Sequence, residues 1–292
     1  MMFPLLPRNG LMRAATLTFA IISLAIAICV FVEPVRRRFD FYSEVLAGKL
    51  HGGGYVKANN ASIYYRTFGS GPPVLVLHGG LGSLEDMGYQ IRALAKAHFV
   101  VAADSRGQGQ STDSDQPLSY SLMADDMAKL LNQLGIPRAD VIGWSDGGII
   151  GLDLAMHYPA LVGKLVAISA NFDVSGIPEI SAEEADVPST PFRYRILSPD
   201  SSYWPTIYRK VITMWRTQPH YTLSDLSHIK APTLIMAGEF DLIKPQHTAQ
   251  LAQAIPHSEE LIVKGATHAV PTDKPEIVNS EILKFLDHNR SG

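Results

Sequence analysis

A serine surrounded by glycines carries the clearest chemical signal in the sequence. Ser145 lies in the stretch VIGWSDGGIIG, and Gly143 and Gly147 stand two residues away on either side. A strand-like apolar run ends at the serine and a helix-like run follows, so the chain must turn sharply there. Glycines give the turn room, and the turn exposes the hydroxyl above a helix N-terminus that favours negative charge. The spacing predicts that Ser145 is a nucleophile.

A serine hydroxyl is a weak nucleophile, so it needs a base and a group that orients the base. Two later loops offer these groups: Asp241 ends the segment AGEFD, and His268 ends the segment GATH. Both loops follow strand-like runs, as Ser145 does, and we expect the three side chains to meet at one edge of a sheet. Asp173, which follows the segment VAISANF, is the alternative acid.

Two backbone N–H groups must stabilise an oxyanion if Ser145 attacks a carbonyl group. We expect one from Asp146, the residue after the nucleophile. The other should come from the turn HGGLGS, where Gly80 is the first candidate and Leu81 the second. His78 begins the same turn, but no acid stands at a suitable place in the chain to orient it. We therefore interpret His78 as a packing and hydrogen-bonding residue.

Strand-like and helix-like segments alternate on both sides of a segment of different character. The alternation runs over 57–172 and resumes over 229–292, which predicts an α/β core with a mostly parallel, doubly wound sheet. Residues 173–228 are rich in Pro, Tyr, Trp and Arg and contain one clear helical run, PTIYRKVITMWRT. We expect them to form a lid over the carboxyl edge of the strands. The predicted strands are ASIYYRTFG, PPVLVLHGG, HFVVAAD, ADVIGW, VGKLVAIS, APTLIMAGEFD and EELIVKG.

Five aromatic residues are candidates for a substrate pocket. Trp144 adjoins the proposed nucleophile, and the other four lie in the predicted lid. Large rings can line an apolar pocket or fill the core of a lid, and the sequence leaves both interpretations open. The four lid residues are Tyr203, Trp204, Tyr208 and Trp215.

The N-terminal segment, residues 1–32, differs in composition from the rest of the chain. Residues 14–32 carry no charged side chain. A helix of that length spans about 28 Å, close to the hydrocarbon core of a bilayer at about 30 Å. The pattern predicts a single membrane span, and hence a membrane-anchored protein, but the flanking charges do not decide its orientation. A cleaved signal peptide, giving a periplasmic or secreted protein, is the alternative. Residues 33–56 are predicted to be a linker.

The overall composition excludes several classes of protein. The 292 residues are 46% hydrophobic and 18% charged, which is typical of a globular protein. A net charge of −3 and the lack of a basic patch give no reason to expect nucleic acid as a partner. The single cysteine, Cys29, cannot form an intrachain disulfide, and no Cys/His spacing indicates zinc. We expect a small-molecule acyl substrate and no metal or cofactor.

Taken in order, the segments HGG, DSRGQGQS, GWSDGG, GEFD and GATH resemble the motifs of the α/β-hydrolase superfamily over about residues 57–290. The resemblance implies an α/β-hydrolase fold with a small lid. It also implies structural roles for Asp104, Arg106 and Ser111 in the loop DSRGQGQS. Because Ser145 is the proposed nucleophile, the sequence departs from the dehalogenases and epoxide hydrolases of the superfamily, which have aspartate at that place.

The elbow GWSDGG is similar to that of biphenyl-hydrolase-like proteins, including amino-acid ester hydrolases of the valacyclovirase type. The resemblance implies that Asp146 binds the ammonium group of a substrate and thereby selects α-amino esters. The alternative is that Asp146 caps the helix or faces solvent, because aspartate is favoured in a first helical turn.

These features together predict a serine hydrolase that cleaves carboxylic esters or related acyl compounds through an acyl-enzyme intermediate. The same three side chains could instead hydrolyse a carbon–carbon bond or an enol lactone. A third alternative is a non-catalytic ligand-binding protein built on a hydrolase fold.

Overall fold

The computed structural model describes residue 43, residues 53–180 and residues 186–287, and an eight-stranded β-sheet lies at its centre. Every strand that the sequence predicts is present. The strands are β1 (Gly54–Ala58), β2 (Ala61–Phe68), β3 (Pro73–Leu77), β4 (Phe99–Ala103), β5 (Ala139–Trp144), β6 (Val162–Ile168), β7 (Thr233–Phe240) and β8 (Ser258–Thr267).

The strand order in the sheet is β1-β2-β4-β3-β5-β6-β7-β8. Strand β2 pairs antiparallel with both β1 and β4, whereas all pairings from β4 through β3 to β8 are parallel. The carboxyl ends of the six parallel strands therefore lie along one edge of the sheet, where ligands bind in such folds. The predicted mostly parallel α/β sheet is confirmed.

Strand β1 begins inside the range 33–56, which is predicted to be a linker, and extends two residues beyond it. Of its residues only Val56 and Ala58 are buried, and they pair with Ile63 and Ala61 of β2. Asn59 and Asn60 connect the two strands with φ angles of 45° and 62°, which suits a tight hairpin turn. A short strand with only two inward residues beside a glycine run gives too little periodicity to be recognised from sequence.

Helices cover both faces of the sheet. One apolar cluster includes Met123 and Met127 with Ile150, and the other includes Ile91 with Ile282. The helices are α1 (Gly88–Leu94), α2 (Tyr120–Gln133), α3 (Asp146–His157), α4 (Phe192–Leu197), α5 (Trp204–Thr217), α6 (Leu223–Leu226), α7 (Pro245–Ala254), α8 (Val270–Asp273) and α9 (Pro275–Asp287). The sheet is thus doubly wound, as the alternation of segments predicts.

Residues 173–228, called here the inserted segment, separate β6 from β7 and contain helices α4, α5 and α6. Helix α5 includes the run that the sequence predicts as helical. Lys210 on α5 donates to Asp113 Oδ2 at 2.7 Å and to the carbonyl of Gln116 at 2.8 Å, in the loop after β4. These bonds attach the inserted segment to the carboxyl edge of the sheet. The division into core and lid stays a prediction.

The predicted membrane helix at 14–32 lies outside the described residues. Within residues 43, 53–180 and 186–287, no helix combines the length and the apolar character needed to cross a bilayer. This finding contradicts the predicted membrane anchor and the location inferred from it.

Candidate active site

The turn between β5 and α3 holds Ser145 in a backbone conformation that residues other than glycine rarely adopt, with a φ of 54°. The two glycines of the motif are required by close backbone approach. A Cβ atom on Gly143 would lie 2.0 Å from the carbonyl oxygen of Gly147, and one on Gly147 would lie 2.5 Å from that of Leu77. The strained turn therefore depends on glycine at both places, as the sequence analysis expects.

Ser145 and the two predicted partners lie within hydrogen-bond distance of one another. The Nε2 atom of His268 lies 3.0 Å from Ser145 Oγ, and its Nδ1 atom lies 2.7 Å from Asp241 Oδ1. With Nδ1 protonated, Nε2 is free to accept the serine proton. Trp144 Nε1 donates to the backbone carbonyl of His268 at 2.8 Å, which fixes the histidine loop against the elbow.

The carboxylate of Asp241 accepts hydrogen bonds on both oxygens. Besides His268, its donors are the hydroxyl of Ser169 at 2.5 Å, the N–H of Ile243 at 3.0 Å and the N–H of Gly238 at 3.3 Å. Burial raises the pKa of Asp241, but the bonds from His268 and Ser169 outweigh burial and leave the pKa below its usual value. The carboxylate thus stays ionised opposite the imidazole.

The alternative acid, Asp173, has a different partner. Its carboxylate accepts from the N–H of Ser175 at 2.9 Å and pairs with Nδ1 of His220 at 2.9 Å. Partial burial raises the pKa of Asp173, but the bonds from Ser175 and His220 lower it to about 2. The geometry therefore brings Asp241, and not Asp173, to His268.

Asp146 is buried, with 3% of its surface exposed, so the prediction that it faces solvent is wrong. Its carboxylate accepts from Tyr120 OH at 3.0 Å and from Trp215 Nε1 at 2.9 Å. Burial raises the pKa of Asp146 to about 6, although both donors favour the ionised form. Burial and the Asp146 carboxylate raise the pKa of Tyr120 well above 10, so Tyr120 remains a donor.

The predicted oxyanion residues lie where the turn after β3 meets the elbow. A Cβ atom on Gly80 would lie 2.4 Å from Asp146 Oδ2 and 2.4 Å from Trp215 Cζ2, so only glycine fits there. Gly80 lines the cavity beside Ser145. Leu81, the second candidate, has a φ of 56°, and its carbonyl accepts from Arg193 of the inserted segment.

A cavity of about 350 Å³ opens beside Ser145 and His268. Its apolar side includes Ile177, Ile180 and Leu242. Apart from the histidine, the only ionisable acids and bases in its described lining are Asp146, Glu179 and Tyr120, so no Lys or Arg side chain faces it. The cavity therefore carries a negative field, to which Asp241 behind the histidine adds.

Only two of the five candidate aromatic residues, Trp144 and Trp215, line this cavity. Tyr203 donates to Asp113 at 2.9 Å, and Trp204 donates to the carbonyl of Pro188 at 2.9 Å and packs at 5.5 Å on Tyr208. The prediction that these three line the pocket is wrong. Trp204 and Trp215 stand at opposite ends of α5, about 16 Å apart along the helix axis, so only the end with Trp215 reaches the cavity.

Three residues that the sequence analysis did not select contact the site: Tyr120, Ser169 and Arg193. Ser169 directly follows β6, at the same edge as Ser145, and a search of every strand end for polar residues would have found it. Tyr120 and Arg193 lie in helices, and nothing in their spacing marks them.

The residues interpreted as structural have buried partners. His78 accepts from the N–H of Ser105 at 3.0 Å, and burial lowers its pKa to about 4, so it is neutral. Arg106 pairs with Asp126 through two contacts of 2.7 Å. Ser111 donates to the carbonyl of Asp104 at 2.8 Å. In the described part of the chain, no cluster of three or more His, Cys, Asp or Glu side chains could hold a metal ion.

The fold and the serine at the elbow define a class of hydrolases, and comparisons with known proteins agree. The family described as alpha/beta hydrolase fold matches residues 72–192. Proteins described as "Putative carbamate hydrolase RutD" are 31% identical over 241 residues in Rhizobium rhizogenes, covering 73% of this chain and 92% of the relative. In Pantoea ananatis the identity is 31% over 261 residues, covering 78% and 94%. The chain belongs to the α/β-hydrolase superfamily, and it is a hydrolase of that family.

Solved structures share the fold. An enol-lactonase from Burkholderia xenovorans matches with a TM-score of 0.68 at 20% identity, over 80% of this chain and 99% of that one. A structure described as a membrane phospholipase A matches with a TM-score of 0.71 at 20% identity, over 96% and 99%. At this identity the likeness supports the fold alone.

Exchanging each candidate acid for its amide tests which one orients the histidine. Asp241→Asn should lower kcat/KM on a neutral p-nitrophenyl ester at least about a thousandfold, because an amide favours the wrong imidazole tautomer. Asp173→Asn should stay within about twofold of wild type, since Asp173 pairs with His220. The opposite pattern would show that Asp173 is the acid.

Ser169→Gly isolates the hydroxyl that donates to Asp241. Ser169 has a φ of 52°, so glycine relieves backbone strain and should leave the melting temperature unchanged or raised. Loss of a bond to a charged group should still lower kcat/KM about tenfold. Asn60→Gly, at a φ of 62° in the β1–β2 turn, is the matched control and should keep full activity. If Ser169→Gly is as active as Asn60→Gly, the Ser169 hydroxyl does not help to position Asp241.

Proposed function

We propose that the protein is a serine hydrolase that cleaves carboxylic esters or related acyl compounds through an acyl-enzyme intermediate. The observation that carries the proposal is the continuous hydrogen-bond chain from Asp241 through His268 to Ser145. A nucleophile, a base and a group that orients the base, each within hydrogen-bond distance of the next, are what acyl transfer requires.

The proposed reaction has two halves. His268 Nε2 takes the proton of Ser145 as Oγ attacks the substrate carbonyl, and the same nitrogen then returns the proton to the departing alcohol. Water repeats the sequence on the acyl-enzyme and releases the acid. Through both halves Asp241 stabilises the imidazolium that forms, and its several donors keep that carboxylate charged.

The proposed oxyanion hole consists of the backbone N–H groups of Gly80 and Asp146. Asp146 begins helix α3, so its N–H belongs to the positive end of the helix dipole. Each such donor contributes about 3 kcal/mol to stabilisation of the transition state. The carboxylate of Asp146, against which Gly80 packs, opposes that negative charge when it is ionised.

This opposition supports a proposal about the substrate. A positive or N–H-bearing group on the acyl side of the substrate would compensate the Asp146 carboxylate, as in α-amino esters or in carbamates with an N–H group. The Rhizobium and Pantoea relatives are described as putative carbamate hydrolases, which fits the second kind of compound. Substrates that carry a free carboxylate beside the reacting carbonyl would meet Asp146 and Glu179 without a compensating Lys or Arg in the described lining.

The two alternative functions make different demands on the site. Hydrolysis of a carbon–carbon bond or an enol lactone uses the same three side chains, and the negative cavity disfavours those substrates that are anionic. A non-catalytic binding protein does not need an activated serine. The short contacts of His268 with Ser145 and Asp241 therefore favour catalysis.

Removal of the serine hydroxyl tests the proposal directly. Ser145→Ala should lower kcat/KM on short p-nitrophenyl esters at least about a thousandfold and abolish labelling by a fluorophosphonate probe. The far-UV circular dichroism should be unchanged, because the strained turn is kept by the glycines. Ser224→Ala, an exposed serine away from the cavity, is the control. Near wild-type turnover by Ser145→Ala would reject the serine mechanism.

The pH dependence of substrate preference tests the role of Asp146. With its pKa raised to about 6, its ionised fraction grows from about one tenth at about pH 5 to about nine tenths at about pH 7. The ratio of kcat/KM for an α-amino ester to that for its neutral isostere should rise about tenfold over this range. Activity of the histidine cancels in the ratio.

The same ratio should be low and independent of pH in Asp146→Asn, whose carbonyl oxygen can still accept from Tyr120 and Trp215. Glu179→Gln removes the other lining carboxylate, an exposed one, and should keep the slope. A flat ratio in the wild-type enzyme, or an unchanged slope in Asp146→Asn, would rule out recognition of a cationic group by Asp146.

A further inference from the structure

One guanidinium group connects the inserted segment to the turn that carries Gly80. Arg193 lies on helix α4, and its Nη1 donates to both carboxylate oxygens of Asp86 at 2.8 Å each. Its Nη2 donates to the carbonyl oxygen of Leu81. The Arg193 side chain is 26% exposed and that of Asp86 is 10% exposed, so the pair is partly shielded from water.

The turn that Arg193 contacts is closed by hydrogen bonds and includes a residue in a strained backbone conformation. The N–H of Gly82 donates to the carbonyl of Gly79 at 3.1 Å, and the N–H of Ser83 donates to Asp86 Oδ2 at 3.0 Å. Leu81 lies inside the turn that the first of these bonds closes, with a φ of 56° in the left-handed region, which residues other than glycine rarely adopt. Hydrogen bonds within residues 79–86 and contacts from outside together hold this conformation, and Arg193 makes outside contacts with Asp86 and with the carbonyl of Leu81.

The Leu81 carbonyl and the Gly82 N–H belong to one planar peptide group, and the Gly79 carbonyl that accepts from Gly82 belongs to the peptide group that carries the Gly80 N–H. A contact that fixes the Leu81 carbonyl therefore also restrains the peptide group of the Gly80 N–H. We propose that Arg193 is a positioning residue that holds the Gly80 N–H in register with Ser145. The proposal rests on the serine hydrolase function, because it assigns Gly80 to the oxyanion hole. It adds that the inserted segment completes the hole, since the arginine comes from that segment.

The chemistry of the contact requires arginine. A planar guanidinium can bond a carboxylate and a carbonyl at the same time with fixed geometry, whereas an ammonium is a single point charge on a flexible stem. Arg193→Lys can keep the attraction to Asp86 but cannot reproduce both contacts. The kcat of Arg193→Lys should therefore lie between that of the wild type and that of an uncharged variant such as Arg193→Met.

A purely structural role for Arg193, attachment of the inserted segment to the core, is the competing explanation. Two control residues separate the roles. Lys210 also attaches the inserted segment, but to Asp113 in the loop after β4 and not to the turn that carries Gly80. Arg195 lies on the same helix as Arg193 and is exposed. Lys210→Met removes an attachment of comparable kind, and Arg195→Met removes a charge of the same type.

The experiment measures kcat and KM on a neutral p-nitrophenyl ester together with the inhibition constant of a boronic acid, which forms a tetrahedral adduct on the serine. Arg193→Met should lower kcat about tenfold or more and raise the inhibition constant of the boronic acid by a similar factor. It should change KM less than about twofold. Arg193→Lys should fall between, and both controls should keep kcat and boronic acid affinity within about twofold.

Full kcat and boronic acid affinity in Arg193→Met would overturn the proposal, and so would an equal loss in Lys210→Met. If Arg193→Met does not fold, Asp86→Asn replaces it, because that change weakens the same contact and keeps the side-chain volume. Labelling of the wild-type enzyme by a fluorophosphonate distinguishes failure of the serine mechanism from failure of the positioning role. A wild type that does not label contradicts the serine mechanism, whereas a wild type that labels with an unaffected Arg193→Met contradicts only the positioning role.

Discussion

The hydrogen bond between Ser145 Oγ and His268 Nε2, 3.0 Å long, joins residues 123 apart in the sequence, and the rest of the site is arranged around it. Each partner stands just past the carboxyl end of a strand, β5 for the serine and β8 for the histidine. The bond can form because parallel strands end along one edge of the sheet. Trp144 reinforces it by holding the backbone of His268 against the elbow.

Two buried carboxylates near this bond have opposite electrostatic situations. Asp241 receives enough donors to hold its pKa below the usual value in spite of burial, so it supports a positive charge on His268. Within the part of the chain that the structure describes, Tyr120 and Trp215 are the donors to Asp146, and burial raises its pKa to about 6. In the proposed mechanism, the Asp241 carboxylate stabilises the charge that acyl transfer creates on His268. The Asp146 carboxylate, with its pKa raised to about 6, can change charge near neutral pH beside Ser145.

The inserted segment contributes to the site by its contacts with the core. Trp215 donates to Asp146, and Arg193 contacts Asp86 and the carbonyl of Leu81 in the turn that carries Gly80. The serine, the base and the acid all come from the core strands, whereas these supporting donors come from the insertion. In the proposed mechanism, the reacting side chains and the donors that position them therefore come from two parts of the chain that are far apart in sequence but in contact.

The sequence by itself determined seven of the eight strands and the elbow, and it selected Ser145 and His268, because local patterns of apolar residues and glycines specify strands, turns and strand ends. It left Asp241 and Asp173 open as the partner of His268, and only the tertiary structure distinguishes them. It did not determine which aromatic residues of α5 reach the cavity, that Asp146 is buried against Trp215, or that Arg193 contacts the turn that carries Gly80. Those outcomes depend on how a helix of the inserted segment is placed over the sheet. Its placement results from contacts such as Lys210 with Asp113, which only tertiary packing brings together and which leave no periodic signal in the sequence.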